Sequence, residues 1–166
     1  MTAEKEWTFR DHPAVAAEVG YLIANLSGVE AWLYMAFAQM IEDDGRVTEA
    51  ILSGADSLAF KLNIIFKIAA VKADTSPIAA ALLASKDDMT EVIKFRNQIA
   101  HSVYSITEDQ VLLIANAFRT ERGKMKSISI DAKLVRSYSE RLKAVQQRLV
   151  PHLPQAPGYG TLSLRN

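Results

Sequence analysis

Apolar side chains recur every three or four residues from Pro13 to about Asp44, which is the period of an α-helix that buries one face. Proline is tolerated in the first helical turn, where its missing N–H is not needed, so Pro13 marks the predicted start. The stripe consists of Val15, Val19, Leu22, Leu26, Val29, Leu33, Ala36 and Met40. A second stripe beside it includes Glu30 and Tyr34. Two adjacent stripes predict a wide buried face, as expected for the central helix of a bundle.

Helical periodicity continues through most of the remaining chain. A second helix is predicted over about residues 47–73, and a third over residues 78–103 with an interruption at Lys86. A last helix is predicted to begin after Asp131, whose carboxylate can cap free N–H groups, and to end before Pro151. Its apolar stripe consists of Leu134, Tyr138, Leu142, Val145 and Leu149.

The period changes to that of β-strands before the last helix. Residues 110–118 and 125–130 flank a connection that contains Gly123, and the second of these segments alternates apolar with polar residues. This pattern predicts a β-hairpin. The predicted fold class is therefore all-α, a four- to five-helix bundle with a small β-hairpin at about residues 110–130, between the last two helices.

Length and composition fit one such domain. The chain has 166 residues, of which 49% are apolar, enough for a buried core and too many for a disordered chain. We expect residues 1–12 to form an N-terminal extension, residues 13–150 the bundle, and residues 151–166 a tail rich in Pro and Gly. No apolar stretch is long enough to cross a bilayer and no secretory signal is visible, so a cytoplasmic location without a membrane partner is expected.

Metal and thiol chemistry have little basis in this sequence. The chain contains no cysteine, which excludes disulfides, thiolate metal sites and cysteine nucleophiles. Its histidines, His12, His101 and His152, lie far apart and lack partners at the spacing of metal ligands. We therefore expect no metal and no other cofactor.

The charges balance overall but are distributed unevenly. Residues 1–118 carry a net charge of −7, and residues 119–148 carry +6. A local basic surface attracts polyanions, so the hairpin tip is a candidate for binding phosphate. Its cationic residues are Arg119, Arg122, Lys124 and Lys126. A solvated basic face explains the same pattern equally well.

One helical stripe contains a charged residue where the pattern requires an apolar one. The stripe consists of Met89, Val92, Arg96, Ile99 and Val103. Burying an unpaired guanidinium costs several kcal/mol, so Arg96 requires a carboxylate, a phosphate or a water-filled groove. Glu30 is the candidate carboxylate, and a structural Arg96–Glu30 pair that fixes the helix register is one interpretation.

The same helix carries two further polar residues. Asn97 and His101 are four residues apart and share a helix face, whereas Arg96 lies about 140° from His101 around the axis. Residues 96–101 read Arg-Asn-Gln-Ile-Ala-His, which resembles the Arg–polar–three residues–His motif of HEPN domains, the higher-eukaryote and prokaryote nucleotide-binding superfamily. The resemblance extends in helix order and size over roughly residues 13–150 and implies a HEPN-like bundle.

Many proteins of this family are metal-independent endoribonucleases, often toxins or defence effectors. The resemblance implies that Arg96 and His101 are catalytic and that Asn97 orients or binds the substrate. Glu30 and Tyr104 are our further candidates for binding or orienting the substrate. The reaction would be attack of a ribose 2′-OH on the adjacent phosphate. His101 would transfer the proton, and Arg96 would stabilise charge in the transition state.

One motif histidine per chain is too few for both the base and the acid of this reaction, so a homodimer is expected, as the resemblance also implies. RNA and a neutralising antitoxin or other protein are the further partners considered. Two alternatives remain open. One is a non-catalytic HEPN-like module that binds nucleotides or proteins, and the other is a structural bundle in which Arg96 and Glu30 lock the core.

Overall fold

The computed structural model describes residues 8–55, 57–115 and 126–153. Within these ranges the chain forms six α-helices and three β-strands. The helices are α1 (Pro13–Ile41), α2 (Arg46–Ser53), α3 (Leu58–Lys72), α4 (Pro77–Ala84), α5 (Lys86–His101) and α6 (Ala132–Leu149). The strands are β1 (Val103–Ile106), β2 (Val111–Ala115) and β3 (Lys126–Ile130). The prediction of a mainly helical chain is confirmed. Most of the predicted N-terminal extension and tail lies outside the described residues.

Helix α1 buries the stripe predicted for it. Every residue of that stripe is buried except Val19, which is half-buried. The helix ends at Ile41, three residues earlier than predicted, because Glu42 adopts a left-handed backbone with φ of 57°. Among the described residues, no helix has both the length and the apolar composition needed to span a membrane.

A carboxylate organises the connection from α1 to α2. The Oδ2 atom of Asp43 accepts hydrogen bonds from the backbone N–H groups of Gly45, at 3.0 Å, and Thr48, at 2.8 Å. Gly45 has a φ of 102°, which a residue with a Cβ atom rarely adopts. The hydrogen bond from the Thr48 backbone is the main cause that lowers the pKa of Asp43 below its ordinary value. Asp43 thus caps the first turn of α2.

The single helix predicted over residues 47–73 is wrong, because this segment forms both α2 and α3. Helix α2 ends at Ser53, with Gly54 as its C-cap. Ser57 is the N-cap of α3, and its Oγ atom accepts a hydrogen bond from the backbone N–H of Phe60 at 3.2 Å. A glycine followed by a serine N-cap therefore interrupts an otherwise continuous helical period.

The predicted β-hairpin is part of a larger sheet. Strands β2 and β3 pair antiparallel, as predicted, with Leu113 opposite Ile128. Strand β1 also pairs antiparallel with β2, and Tyr104 lies opposite Leu113. The prediction that a helix continues to residue 103 is wrong, because α5 ends at His101, where Ser102 has an extended backbone.

The described residues divide into two compact units, the first made of residues 8–30, 85–115 and 126–146 and the second of residues 31–55, 57–84 and 147–153. In the first unit, α5 packs against β2, and in the second, α3 packs against α4. The buried residues of the first unit include Leu22, Leu26, Met89, Val92, Phe95, Ile99, Val111, Leu113, Val135 and Leu142. Those of the second include Leu33, Phe37, Met40, Leu52, Leu62, Ile65, Ile78 and Leu82. A single bundle over residues 13–150 stays a prediction.

Helix α6 buries a face that differs slightly from the predicted one. Leu142, Val145 and Leu149 are buried as predicted, but Leu134 and Tyr138 are only half-buried. The positions that follow them carry the buried side chains in the first half of the helix, namely Val135 and Ser139. The buried stripe therefore includes a serine that the apolar pattern could not reveal.

Candidate functional site

The three candidate residues of the motif, Arg96, Asn97 and His101, lie on the last two turns of α5, in the first unit. Buried apolar residues anchor this helix, namely Met89, Val92, Ile93, Phe95 and Ile99. Asp87 and Asp88 lie in the first turn and His101 in the last, which suits the partial charges at the two helix ends. Arg96 and Asn97 are half-buried. The polar groups of the motif thus gather at the C-terminal end of the helix.

Arg96 is bound by its neighbour in the chain. Its Nη1 atom donates a hydrogen bond to Oδ1 of Asn97 at 3.1 Å. Arg96 and Glu30 form no ion pair, and no other carboxylate in the described ranges pairs with this guanidinium. The proposed Arg96–Glu30 lock is therefore not formed, although Glu30 is half-buried in the same unit. Partial exposure rather than a counterion makes the guanidinium acceptable in the apolar stripe.

His101 is the last residue of α5, and its side chain is exposed. It lies one helical turn beyond Asn97, and about 7.5 Å along the axis from Arg96. Within the part of the chain that the structure describes, the imidazole makes no hydrogen bond. Its position is therefore set by the backbone of the last helical turn rather than by a side-chain partner.

Tyr104 connects β1 to this last turn. Its hydroxyl donates a hydrogen bond to the backbone carbonyl of Ile99, two residues before His101. The ring of Phe9 packs edge-on against the Tyr104 ring, with centroids 4.9 Å apart and an interplanar angle of 72°. Burial raises the pKa of Tyr104 above its ordinary value of 10.0. The hydroxyl predicted to bind or orient a substrate is thus engaged with the helix end.

The N-terminal segment has a second contact with β1. Nε2 of His12 lies 2.7 Å from the carbonyl oxygen of Thr107, just beyond the end of the strand, so this nitrogen carries the proton of the hydrogen bond. Thr8 and Asp11 form a capping box that shapes the short 3-10 helix Phe9–Asp11. The contact of Phe9 with Tyr104 and that of His12 with Thr107 were not predicted from the sequence, since neither Phe9 nor His12 belongs to a recognisable motif.

An aromatic stack lies between α5 and α6, next to Arg96 in the chain. The ring centroids of Phe95 and Tyr138 are 3.9 Å apart, and the rings are nearly parallel, with an interplanar angle of 9°. The guanidinium of Arg141 lies 5.9 Å from the centre of the Tyr138 ring and 3.6 Å from Asp88. These contacts join α5 to α6 within the first unit, and the helical period of α6 alone did not indicate them.

Three of the four cationic residues predicted for the hairpin tip, Arg119, Arg122 and Lys124, lie outside the described residues. The fourth, Lys126, is the first residue of β3. Their role in binding phosphate stays a prediction.

Arg136 of α6 is a surface cation with a carboxylate partner. Its Nε and Nη2 atoms donate hydrogen bonds to Oε1 of Glu18 at 2.8 and 2.5 Å. This partner raises the pKa of Arg136.

No group of three or more histidine, aspartate or glutamate residues in the described ranges is arranged to hold a metal ion. No protein-family model, curated protein or solved structure matches the chain. The features of this chain that indicate a function are therefore the geometry at the end of α5 and the motif of residues 96–101.

Proposed function

We propose that this protein is a metal-independent endoribonuclease of HEPN type, with Arg96 and His101 as its catalytic residues. The observation that carries the proposal is that both groups are accessible and free of carboxylates in the described ranges. A carboxylate paired with Arg96 would compete with phosphate for the guanidinium. The exposed His101 and the half-buried Arg96, at one end of α5, can be reached by a large polyanion such as RNA. A toxin or defence role belongs to the same proposal.

The reaction requires proton transfer and charge stabilisation. The imidazole of His101 accepts the proton of a ribose 2′-OH while the 2′ oxygen forms a bond to the adjacent phosphorus. The bond from phosphorus to the 5′ oxygen breaks, and that oxygen takes a proton from an imidazolium. The products are a 2′,3′-cyclic phosphate and a 5′-hydroxyl. Arg96 stabilises the charge that develops on the phosphate oxygens, and Asn97 holds the guanidinium in place.

Two protonation states of histidine are needed in one reaction, since one imidazole removes a proton and another supplies one. A two-fold homodimer that pairs two α5 ends would provide both. The exposed side chain of His101 is compatible with such pairing, because it is not enclosed within its own unit. We therefore include a homodimer in the proposal.

The test is incubation of the purified protein with tRNA and mRNA in EDTA, followed by analysis of the new 3′ ends. We expect cleavage that leaves 2′,3′-cyclic phosphates and that is lost in Arg96→Ala and His101→Ala. His152→Ala is the matched control, because His152 is also exposed but lies in the second unit. Cleavage that persists in His101→Ala, or that stops in EDTA, would overturn the proposal.

A second candidate is a non-catalytic HEPN-like module that binds a nucleotide or a protein. It is favoured by the imidazole of His101, which has no hydrogen bond in the described part of the chain to fix its orientation. Catalytic histidines are commonly oriented by a second group. This alternative predicts no RNA cleavage by the wild type, together with retained binding of a nucleotide that Arg96→Ala weakens.

A further inference from the structure

The end of α5 is held from outside the helix. The last four carbonyl groups of a helix have no intrahelical partner, and in α5 they belong to residues 98–101. The carbonyl of Gln98 accepts a hydrogen bond from the backbone N–H of Ser102 at 3.0 Å. The carbonyl of Ile99 accepts one from the hydroxyl of Tyr104. A side chain therefore satisfies a carbonyl in the very turn that carries His101.

The Tyr104 phenol is itself fixed at two points. Its backbone lies in β1, paired opposite Leu113 of β2, which is fully buried. Its ring contacts Phe9 edge-on. The sheet, the N-terminal 3-10 helix and the last turn of α5 thus meet at one side chain, and all belong to the first unit.

We propose that Tyr104 is a positioning residue for His101, acting through the carbonyl of Ile99. The step that carries this proposal is that the His101 imidazole has no hydrogen bond of its own in the described residues, so its place depends on the backbone of the last turn. Terminal turns fray when their carbonyls lack partners. The hydroxyl of Tyr104 limits that fraying, and Phe9 limits movement of the phenol. The proposal rests on the nuclease function proposed above.

The decisive variant is Tyr104→Phe in the full chain, because it keeps the ring and its contact with Phe9 but removes the donor to Ile99. We expect kcat for RNA cleavage to fall about 10- to 100-fold, since displacement of a catalytic group by about 1 Å has effects of this size. We expect KM to change by less than about twofold, because Arg96 and Asn97 are untouched. Exchange of the Ser102 amide hydrogen should accelerate about tenfold.

Two further variants separate positioning from general stability. Thr90→Val removes a side-chain hydrogen bond to the carbonyl of Lys86, in the first half of α5 and away from its last turn, and should leave kcat and Ser102 exchange unchanged. Phe9→Leu loosens the phenol without touching α5, and should produce a smaller change in the same direction as Tyr104→Phe. If Tyr104→Phe fails to fold, the same measurements on Phe9→Leu still test the proposal.

The outcomes distinguish this proposal from the function on which it rests. If the wild type cleaves RNA but Tyr104→Phe has wild-type kcat and Ser102 exchange, the positioning role is refuted and the nuclease stands. If the wild type does not cleave RNA, the nuclease is refuted. Faster Ser102 exchange in Tyr104→Phe would then still support the hold on the helix end, and unchanged exchange would refute that too.

Discussion

Arg96 donates a hydrogen bond to the side chain of Asn97, its neighbour in the chain, rather than to a carboxylate. A neutral amide leaves the full positive charge of the guanidinium available for an anion. The position of Arg96 is thus fixed within one turn of α5 and needs no other helix. The proposed role of Arg96 in substrate binding can therefore be tested separately from its contribution to stability.

Arg96→Met should remove RNA cleavage while the fold persists. Methionine fits the apolar stripe and no ion pair is broken, so we expect the free energy of unfolding to change by less than about 1 kcal/mol. Urea unfolding and the cleavage assay measure the two effects. Lys94→Met is the matched control, since Lys94 is an exposed cation of the same helix. A loss of about 3 kcal/mol or more would instead indicate a structural Arg96.

Much of the fold could be predicted because helix periodicity reports burial directly. The stripe of α1 and the pairing of β2 with β3 follow from local patterns. Strand β1 could not be predicted, because Val103 continues the apolar stripe of α5 and only pairing with β2 makes residues 103–106 a strand. The break between α2 and α3 was readable from Gly54 and Ser57, but the long apolar period obscured it.

The candidate site, like the fold, could be predicted only in the part that depends on local sequence. That Asn97 and His101 share the end of one helix follows from helix geometry alone. The exposure of His101 and the missing ion pair between Arg96 and Glu30 depend on packing between elements, which spacing does not report. The contact between Tyr104 and Ile99 requires β1 to turn back on α5, so no local pattern could indicate it.

Ser139→Ala should stabilise the protein. The hydroxyl of Ser139 is buried on α6 and has no hydrogen-bond partner among the described residues. Removing an unsatisfied buried hydroxyl relieves a desolvation cost of about 1 kcal/mol, and alanine also favours the helix. Urea unfolding should show an increase of about this size. Ser137→Ala is the control, because that hydroxyl is exposed and donates to the Leu134 carbonyl at 2.7 Å; a destabilised Ser139→Ala would contradict the prediction.

Asp43→Ala should lower the melting temperature at neutral pH and lose this effect in acid. The folded-state pKa of Asp43 lies below 3.8, so its stabilising contribution is present above that pH and disappears as the pH falls through the folded-state value. Thermal unfolding from about pH 7 to about pH 3 measures the difference between variant and wild type. Asp44→Ala is a suitable comparison, because Asp44 lies in the same loop and contacts Arg46 instead. An unchanged difference across this range would show that charge on Asp43 is unimportant.

Tyr104→Phe should alter the alkaline limb of the stability profile. Burial favours the neutral phenol and raises the folded-state pKa above 10.0, so the contribution of Tyr104 is fully present below pH 10.0 and is lost as the pH rises through the raised value. Wild-type stability should therefore decline more steeply above about pH 10 than that of the variant. Tyr21→Phe is the control, because Tyr21 is 54% exposed. Parallel profiles for wild type and Tyr104→Phe in urea unfolding would mean that the phenol ionises as easily in the folded as in the unfolded chain.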